Sequence, residues 1–255
     1  MSTFIVANIT QIELNERIQK YVSINWNASG GGAFAILPLP SPFTPLPHFF
    51  PTKLPDLVPL ARSHTASVLD TDWSPFNDSI VASGGDDGKA MIWQVNAGSF
   101  DGWGNEGWEP QDFEPVLRID ASPRRVGQVV WHPTAEHVLA TATGDHVVKL
   151  WDIGSPEQPR AVLGGHGDAI QSVAFNPSGN LVVTTCRDRK LRIFDPRAGG
   201  DPVRVADGHG GIKVCALFRH SDGRVLNLVY MRIFRAPELS GWVTGITLLP
   251  PVSAR

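Results

Sequence analysis

Residues 165–195 read GHGDAIQSVAFNPSGNLVVTTCRDRKLRIFD, and their pattern recurs along the chain. A Gly-His pair leads into an apolar strand that ends at Asn176-Pro177. A run of small residues and Asp188 follow, and the stretch closes on Phe194-Asp195. Two earlier stretches repeat the pattern, with His64, Trp73-Ser74-Pro75, Asp87 and Trp93 in the first copy and Trp131-His132-Pro133, Asp145 and Trp151-Asp152 in the second. A fourth copy opens at Gly208-His209 and then fades.

The spacing of these copies identifies the repeat class. His209 follows His166 by 43 residues, and Phe175 follows Trp131 by 44. A period of about 40–45 residues with this signature is typical of WD40 repeats, which build four-stranded propeller blades. The sequence therefore predicts an all-β fold: an incomplete WD40 β-propeller with three full repeats and partial flanking blades.

Composition changes along the chain predict five segments. Residues 1–20 form a divergent N-terminal segment, and 21–37 form a β-hairpin of a partial blade, because Val22, Ile24 and Trp26 alternate before a Gly-rich turn. Residues 38–52 are a Pro-rich insertion, in which regular strand ladders are disfavoured. Residues 53–213 carry the WD40 repeats. Residues 214–255 form a divergent C-terminal tail with no turn Asp and no closing Trp-Asp pair.

The polar residues of the repeat predict a buried hydrogen-bond network inside each blade. A His, a strand Ser or Thr, a turn Asp and a strand Trp can bond in series, which stabilises a blade when every member has a partner. We expect this structural role for His64, Asp87, Trp93, Asp145, Trp151, His166, Ser172, Asp188 and His209. Phe194 stands at the Trp position of the third copy, so one N–H donor is lost there.

Composition disfavours several functional classes. The net charge is -3, whereas a nucleic-acid-binding protein needs a basic excess. Two cysteines are too few for a disulfide framework or a Cys-based zinc site, and no run has the length of a membrane span. We find no phosphate loop, metal cluster or activated nucleophile in the sequence. The Gly84-Gly85-Asp86-Asp87-Gly88 run is not a nucleotide loop, because it has the composition of a turn between strands. We therefore expect a non-enzymatic chain without a cofactor.

Several stretches resemble the coronin family. They are YVSINWNASGGGAFA at 21–35, KLPD at 53–56, VLDTDWSPFND at 68–78, the segment 83–93 and GHGGIK at 208–213. The resemblance covers 21–37 and 53–213. The Gly-rich hairpin and the Asp-Thr-Asp-Trp strand make it more specific than a general WD40 match. It implies a cytoplasmic protein of the actin cytoskeleton, with actin filaments and other cytoskeletal proteins as partners.

The ends of the chain depart from that family. Coronins typically begin with a short basic segment, have seven blades, and carry a coiled coil that oligomerises them and contacts the Arp2/3 complex. Residues 1–20 do not resemble the basic segment, and no heptads follow residue 213. A retained intron or a frame change would produce such ends, so we expect an incomplete gene product without the oligomerising coiled coil.

Two surface features suggest binding roles. Filament binding requires a basic cluster, for which the candidates are Arg124, Arg125, Arg187, Arg189, Lys190, Arg192, Arg197 and Lys213. The alternative is a general WD40 adaptor, such as a substrate receptor of a cullin-type ubiquitin ligase. Phe194-Asp195-Pro196-Arg197 resembles the Trp/Phe-Asp-x-Arg ending of those receptors.

Overall fold

The computed structural model describes residues 20–28, 31–39, 58–102 and 107–208, and the backbone of three further strands at 215–219, 225–231 and 243–248. These residues form strands and one short 3-10 helix, Ala97–Phe100. The Pro-rich segment from 40 to 52, most of the N-terminal segment, His209 and Lys213 lie outside the described residues.

Eighteen strands form five antiparallel sheets in these ranges. Sheet A contains β1 (Tyr21–Ala28), β2 (Gly31–Pro38) and β3 (Leu60–His64). Sheet B contains β4 (Val68–Trp73), β5 (Ile80–Gly85), β6 (Lys89–Gln94) and β7 (Pro115–Asp120). Sheet C contains β8 (Val126–Trp131), β9 (Val138–Thr143), β10 (Val148–Asp152) and β11 (Ala161–Leu163). Sheet D contains β12 (Ile170–Phe175), β13 (Val182–Cys186), β14 (Lys190–Phe194) and β15 (Arg204–Asp207). Sheet E contains β16 (Cys215–Arg219), β17 (Val225–Met231) and β18 (Val243–Leu248).

The predicted all-β WD40 propeller fold is confirmed. Three four-stranded sheets are flanked by two three-stranded ones among the described residues. The first strands of sheets B, C and D lie side by side, which places them innermost, and the last strand of each sheet forms the rim. β16 lies beside β12. The divergent tail thus supplies three strands that its sequence pattern does not predict.

Sheet-to-sheet packing explains the apolar runs in the repeats. Side chains alternate between the two faces of a strand, so each sheet contributes to two cores. In sheet B, Val81 and Trp93 pack toward sheet A, while Ala82 and Ile92 pack toward sheet C. Sheets C and D enclose a third core. Both faces of the central strands are therefore buried, and their sequences are apolar apart from small hydroxyl residues and glycine.

The hairpin of sheet A places Ala28 opposite Gly31. Gly31 has a φ of +150°, and a Cβ there would lie 2.5 Å from the carbonyl oxygen of His64. Only glycine fits this close approach of the hairpin to β3. Within the described ranges, no helix has the length and apolar composition that a bilayer span requires.

Candidate functional site

Sheet B contains a complete buried network. Nδ1 of His64 lies 3.0 Å from both carboxylate oxygens of Asp87, and Nε2 lies 2.8 Å from Oγ of Ser83. The indole N–H of Trp93 donates to the same Ser83 oxygen at 2.8 Å. If Nδ1 carries the His64 proton, that proton is donated to Asp87, and Ser83 donates to Nε2. Every polar atom of this series then has a partner.

The pKa values of this pair agree with a neutral imidazole beside a carboxylate. Burial lowers the pKa of His64 and outweighs the opposing attraction to Asp87. For Asp87, burial acts to raise the pKa, but the His64 ring and the N–H groups of Lys89 and Thr65 outweigh it and hold the value below the usual one. His64 and Asp87 thus serve the fold. Their side chains are 0% and 5% exposed, which leaves them inaccessible to a substrate.

Sheet D uses a different arrangement of the same positions. Nε2 of His166 bonds Oγ1 of Thr184 at 2.8 Å, and Nδ1 donates to the carbonyl oxygen of His146 at 3.1 Å. Asp188 pairs with Arg192, which donates to both carboxylate oxygens. Phe194 packs beside the His166 ring with 5.4 Å between ring centroids. Because Phe194 has no N–H, Thr184 has one partner fewer than Ser83.

Two expectations from the sequence are corrected here. Ser172 lies on innermost strand β12, and the hydroxyl that bonds His166 belongs to Thr184 on β13. Arg192 is 5% exposed and pairs with Asp188, so it belongs to the blade network and cannot contribute to an exposed basic cluster. Because side chains alternate along β14, Arg192 lies on the sheet face opposite Leu191 and Ile193, where Asp188 pairs its charge.

Sheet C has lost the histidine and uses Ser122 instead. Ser122 lies four residues before innermost strand β8, the offset that His64 and His166 have from their own strands. Its hydroxyl donates to Asp145 at 3.3 Å, and Nζ of Lys149 lies 3.6 Å from the other Asp145 oxygen. Trp151 donates to Oγ1 of Thr141 at 3.0 Å. Asp145 therefore pairs with a base four residues on, as Asp188 does.

Polar side chains on the innermost strands tie neighbouring sheets together. Asp70 accepts the N–H of Val129 at 3.0 Å, and Asp72 accepts the N–H of Trp131 at 2.7 Å. Gln128 similarly accepts the N–H of Val173 at 2.7 Å. Burial raises the pKa of Asp70 to about 7, although the N–H groups of Val129 and Thr71 act in the opposite direction. The Asp-Thr-Asp-Trp motif thus joins sheet B to sheet C.

The turns above the networks form one continuous face of the molecule, which we call the loop face. It consists of 64–67, 85–89, 121–125, 143–147, 164–169 and 186–190. Backbone N–H groups donate across it from Asp86 to Ser67, Ser122 to Gly88, Gly144 to Arg125 and Arg187 to Ala169. Nδ1 of His166 closes the gap to His146. These bonds join the turns of sheets B, C and D into one surface.

Five exposed bases lie on the loop face, and we call them the basic group: Arg124, Arg125, Arg187, Arg189 and Lys190. The nearby carboxylates of Asp145 and Asp188 are each paired with a base from their own sheet. Asp168 lies 3.9 Å from Arg187, and both side chains are largely exposed. The basic group is thus weakly opposed by acidic side chains on the turns that carry it.

Arg197 lies apart from the basic group. It follows β14 on the opposite edge of the sheets, where Nε2 of His132 donates to the carbonyl oxygen of Gly179 at 2.9 Å. Burial lowers the pKa of His132, and the charge of Arg197 adds to this shift. Arg197 is therefore near His132, on the face that carries the turns after β8 and β12. The structure divides the predicted cluster between two faces.

Comparison with known proteins agrees with this architecture. The family model "WD domain, G-beta repeat" matches residues 57–94, 113–152 and 157–195, and "Domain of unknown function (DUF1899)" matches 12–43. The Schizosaccharomyces pombe coronin-like protein crn1 is 45% identical over 194 residues, which cover 76% of this chain and 29% of that protein. Human coronin-2A is 33% identical over 187 residues, covering 70% of this chain and 32% of that protein. The chain is a homologue of the coronins.

A solved structure supports the same conclusion. The WD40 domain of Toxoplasma gondii coronin superposes with a TM-score of 0.68 at 25% identity, covering 83% of this chain and 50% of that one. The coronin-like chain spans less than a third of the length of the two curated relatives described above.

Sequence reasoning missed the hydroxyls that join each network, namely Ser83, Thr141 and Thr184. They belong to the small-residue run, whose composition fits tight packing as well as hydrogen bonding. Their constant offset of four residues before Asp87, Asp145 and Asp188 is the signal that finds them.

Proposed function

We propose that the coronin-like chain binds actin filaments through the basic group on the loop face, as a non-enzymatic scaffold of the cytoplasmic actin cytoskeleton. The homology to coronins supports this partner. The observation that carries the proposal is the placement of Arg124, Arg125, Arg187, Arg189 and Lys190 on hydrogen-bonded turns of one face. Filaments are acidic, so the basic group has the complementary charge.

The internal pairing of the turn aspartates strengthens this surface. Lys149 lies beside Asp145, and Arg192 binds Asp188 with two hydrogen bonds. Without these inward bases, each aspartate would offset one of the exposed arginines. The pairing leaves the exposed bases available to a negatively charged partner.

The test is co-sedimentation of the purified chain with actin filaments at low and moderate salt, with an actin-free control for aggregation. Exposed charges are screened over about 10 Å at 0.1 M salt, so we expect pelleting that requires actin and weakens as salt rises. The double variant R187E/R189E should lose most of it. R197E reverses a single charge on the opposite face and should retain binding. Equal loss in both variants, or binding indifferent to salt, would refute the proposal.

A specific observation favours a second candidate function, that of a WD40 substrate receptor of a cullin-type ubiquitin ligase. Arg197 is exposed, its backbone N–H is held by Asp195 at 3.0 Å, and Phe194 is fully buried beneath them. The Phe-Asp-Pro-Arg ending thus presents one arginine away from the basic group. R197E distinguishes the two functions, since it should abolish binding to a ligase adaptor subunit and spare filament binding.

A further inference from the structure

Ser122 combines an unusual position with an unusual sequence context. It occupies the place that His64 fills in sheet B, yet His64 is 4% exposed and Ser122 is only half-buried. The loop 121–125 joins β7 of sheet B to β8 of sheet C and is not part of a strand ladder. Loss of the histidine has therefore left a hydroxyl group near the surface of the loop face.

The residues after Ser122 form a substrate pattern for one class of enzyme. They read Ser122-Pro123-Arg124-Arg125, with proline directly after the hydroxyl residue and a base at the third position after it. Proline-directed protein kinases select this arrangement. Both arginines are exposed, so an acidic kinase surface could reach them.

Two other Ser-Pro pairs in the described ranges lack this combination. Ser74-Pro75 has a serine that is 7% exposed and Asn77 at the third position. Ser155-Pro156 is exposed but has Gln158 there. Ser155 is therefore a matched internal control, because it offers the same dipeptide on the surface without the base.

We infer that Ser122 is a phosphorylation site for a proline-directed protein kinase, and that its phosphate weakens partner binding by the basic group. The kinase transfers the γ-phosphoryl group of ATP. The bond from Ser122 Oγ to phosphorus forms, the bond from phosphorus to the β-γ bridging oxygen breaks, and ADP leaves. The hydroxyl proton passes to the catalytic base of the kinase.

Local charges determine what the phosphate does. A phosphoserine carries about -1.5 to -2 charges at pH 7 and three acceptor oxygens. The Ser122 hydroxyl now donates to Asp145 and accepts the N–H of Arg124. Phosphorylation removes the donated bond and sets like charges together at Asp145. The favourable partners are the guanidinium groups of Arg124 and Arg125, whose charge the phosphate offsets.

The effect on partner binding rests on the proposed function, whereas the modification itself does not. In the first measurement, the folded chain is incubated with ATP and a cyclin-dependent, proline-directed kinase, and the phosphorylated residues are mapped by mass spectrometry. We expect one phosphoryl group on Ser122. It should be absent from S122A, reduced in R125A and retained in S155A. A synthetic peptide of residues 118–128 shows that the kinase is active. If the peptide is labelled and the folded chain is not, Ser122 is not a phosphorylation site of the folded protein. Labelling at Ser155 in place of Ser122 would also overturn the assignment.

The second measurement compares co-sedimentation of the phosphorylated and untreated chains with actin, and S122A passes through the same kinase reaction. Reduced pelleting of the phosphorylated chain alone supports the effect on binding. Unchanged pelleting of a fully phosphorylated chain overturns it. If the untreated chain does not pellet with actin, the proposed function fails and so does this effect, while the mass measurement still judges the site.

Discussion

Ser83 offers the sharpest test of the blade network, because one oxygen serves two buried partners. The change S83A removes this oxygen, which is fully buried and lies 2.8 Å from both His64 Nε2 and Trp93 Nε1. Each orphaned buried polar atom costs about 1–3 kcal/mol. Two such atoms give an expected loss of about 2–6 kcal/mol, which is a large part of the stability of a typical domain.

The matched control is T184V in sheet D. Thr184 is also fully buried but bonds only the His166 ring among the network side chains, since Phe194 has no N–H. The expected loss is about 1–3 kcal/mol from one orphaned atom. Urea unfolding followed by far-UV circular dichroism gives both values. A midpoint shift for S83A no larger than that for T184V would contradict this prediction.

A double variant separates hydrogen bonding from packing. In the W93F background only His64 loses a partner when Ser83 is removed. S83A should therefore cost about 1–3 kcal/mol less there than in the natural chain. Strict additivity of the two changes would mean that Trp93 and His64 do not share Ser83 energetically.

Three further outcomes follow from the geometry of the sheets. G88A should destabilise the chain and weaken actin co-sedimentation. Gly88 has a φ of +77°, and a Cβ there would lie about 2 Å from the carbonyl oxygens of Ser122 and Arg124. G107A is the control for backbone strain alone, because Gly107 has a φ of +84° and open space around the added Cβ. D70N should raise the urea midpoint above that of the natural chain by more at pH 8 than at pH 4. The pKa of the Asp70 carboxyl is raised from 3.8 to about 7 in the folded chain, so this group makes the natural chain less stable as the pH rises from 3.8 to 7. An equal effect at both pH values would contradict this. Between pH 6.5 and 4, the urea midpoint of H166N should fall less than that of the natural chain. Burial lowers the pKa of His166 to about 4, so the unfolded chain takes up the proton at a higher pH than the folded chain does. An equally steep fall in both chains would contradict this.

The fold was predictable because each of the three full repeats keeps part of a local signature. Gly-His, Asn-Pro and Trp-Asp occur at turn and strand positions that the chain sets within a few residues, and their period fixes the blade. The three strands after residue 214 were not predictable, since their segment contains none of these markers.

The candidate site was predictable only in part, because its geometry depends on which side chain fills a shared position. Arg192 and Arg189 are close in sequence and chemically alike, yet Arg192 is 5% exposed beside Asp188 and Arg189 is exposed on a turn. Arg192 lies within strand β14, whereas Arg189 lies on the turn before it. Arg189 precedes β14 and Arg197 follows it, so the two lie at opposite ends of the strand and on opposite faces of the molecule.

The stagger between repeat and sheet has a practical consequence for dividing or shuffling such chains. The matched units 57–94, 113–152 and 157–195 each include the rim strand of one sheet and the first three strands of the next. A fragment that ends at residue 195 would lose β15 and expose the edge of β14, even though it contains a whole repeat. The piece that can be exchanged between proteins without dividing a sheet therefore runs from the innermost strand of one sheet to the rim strand of the same sheet, such as 126–163.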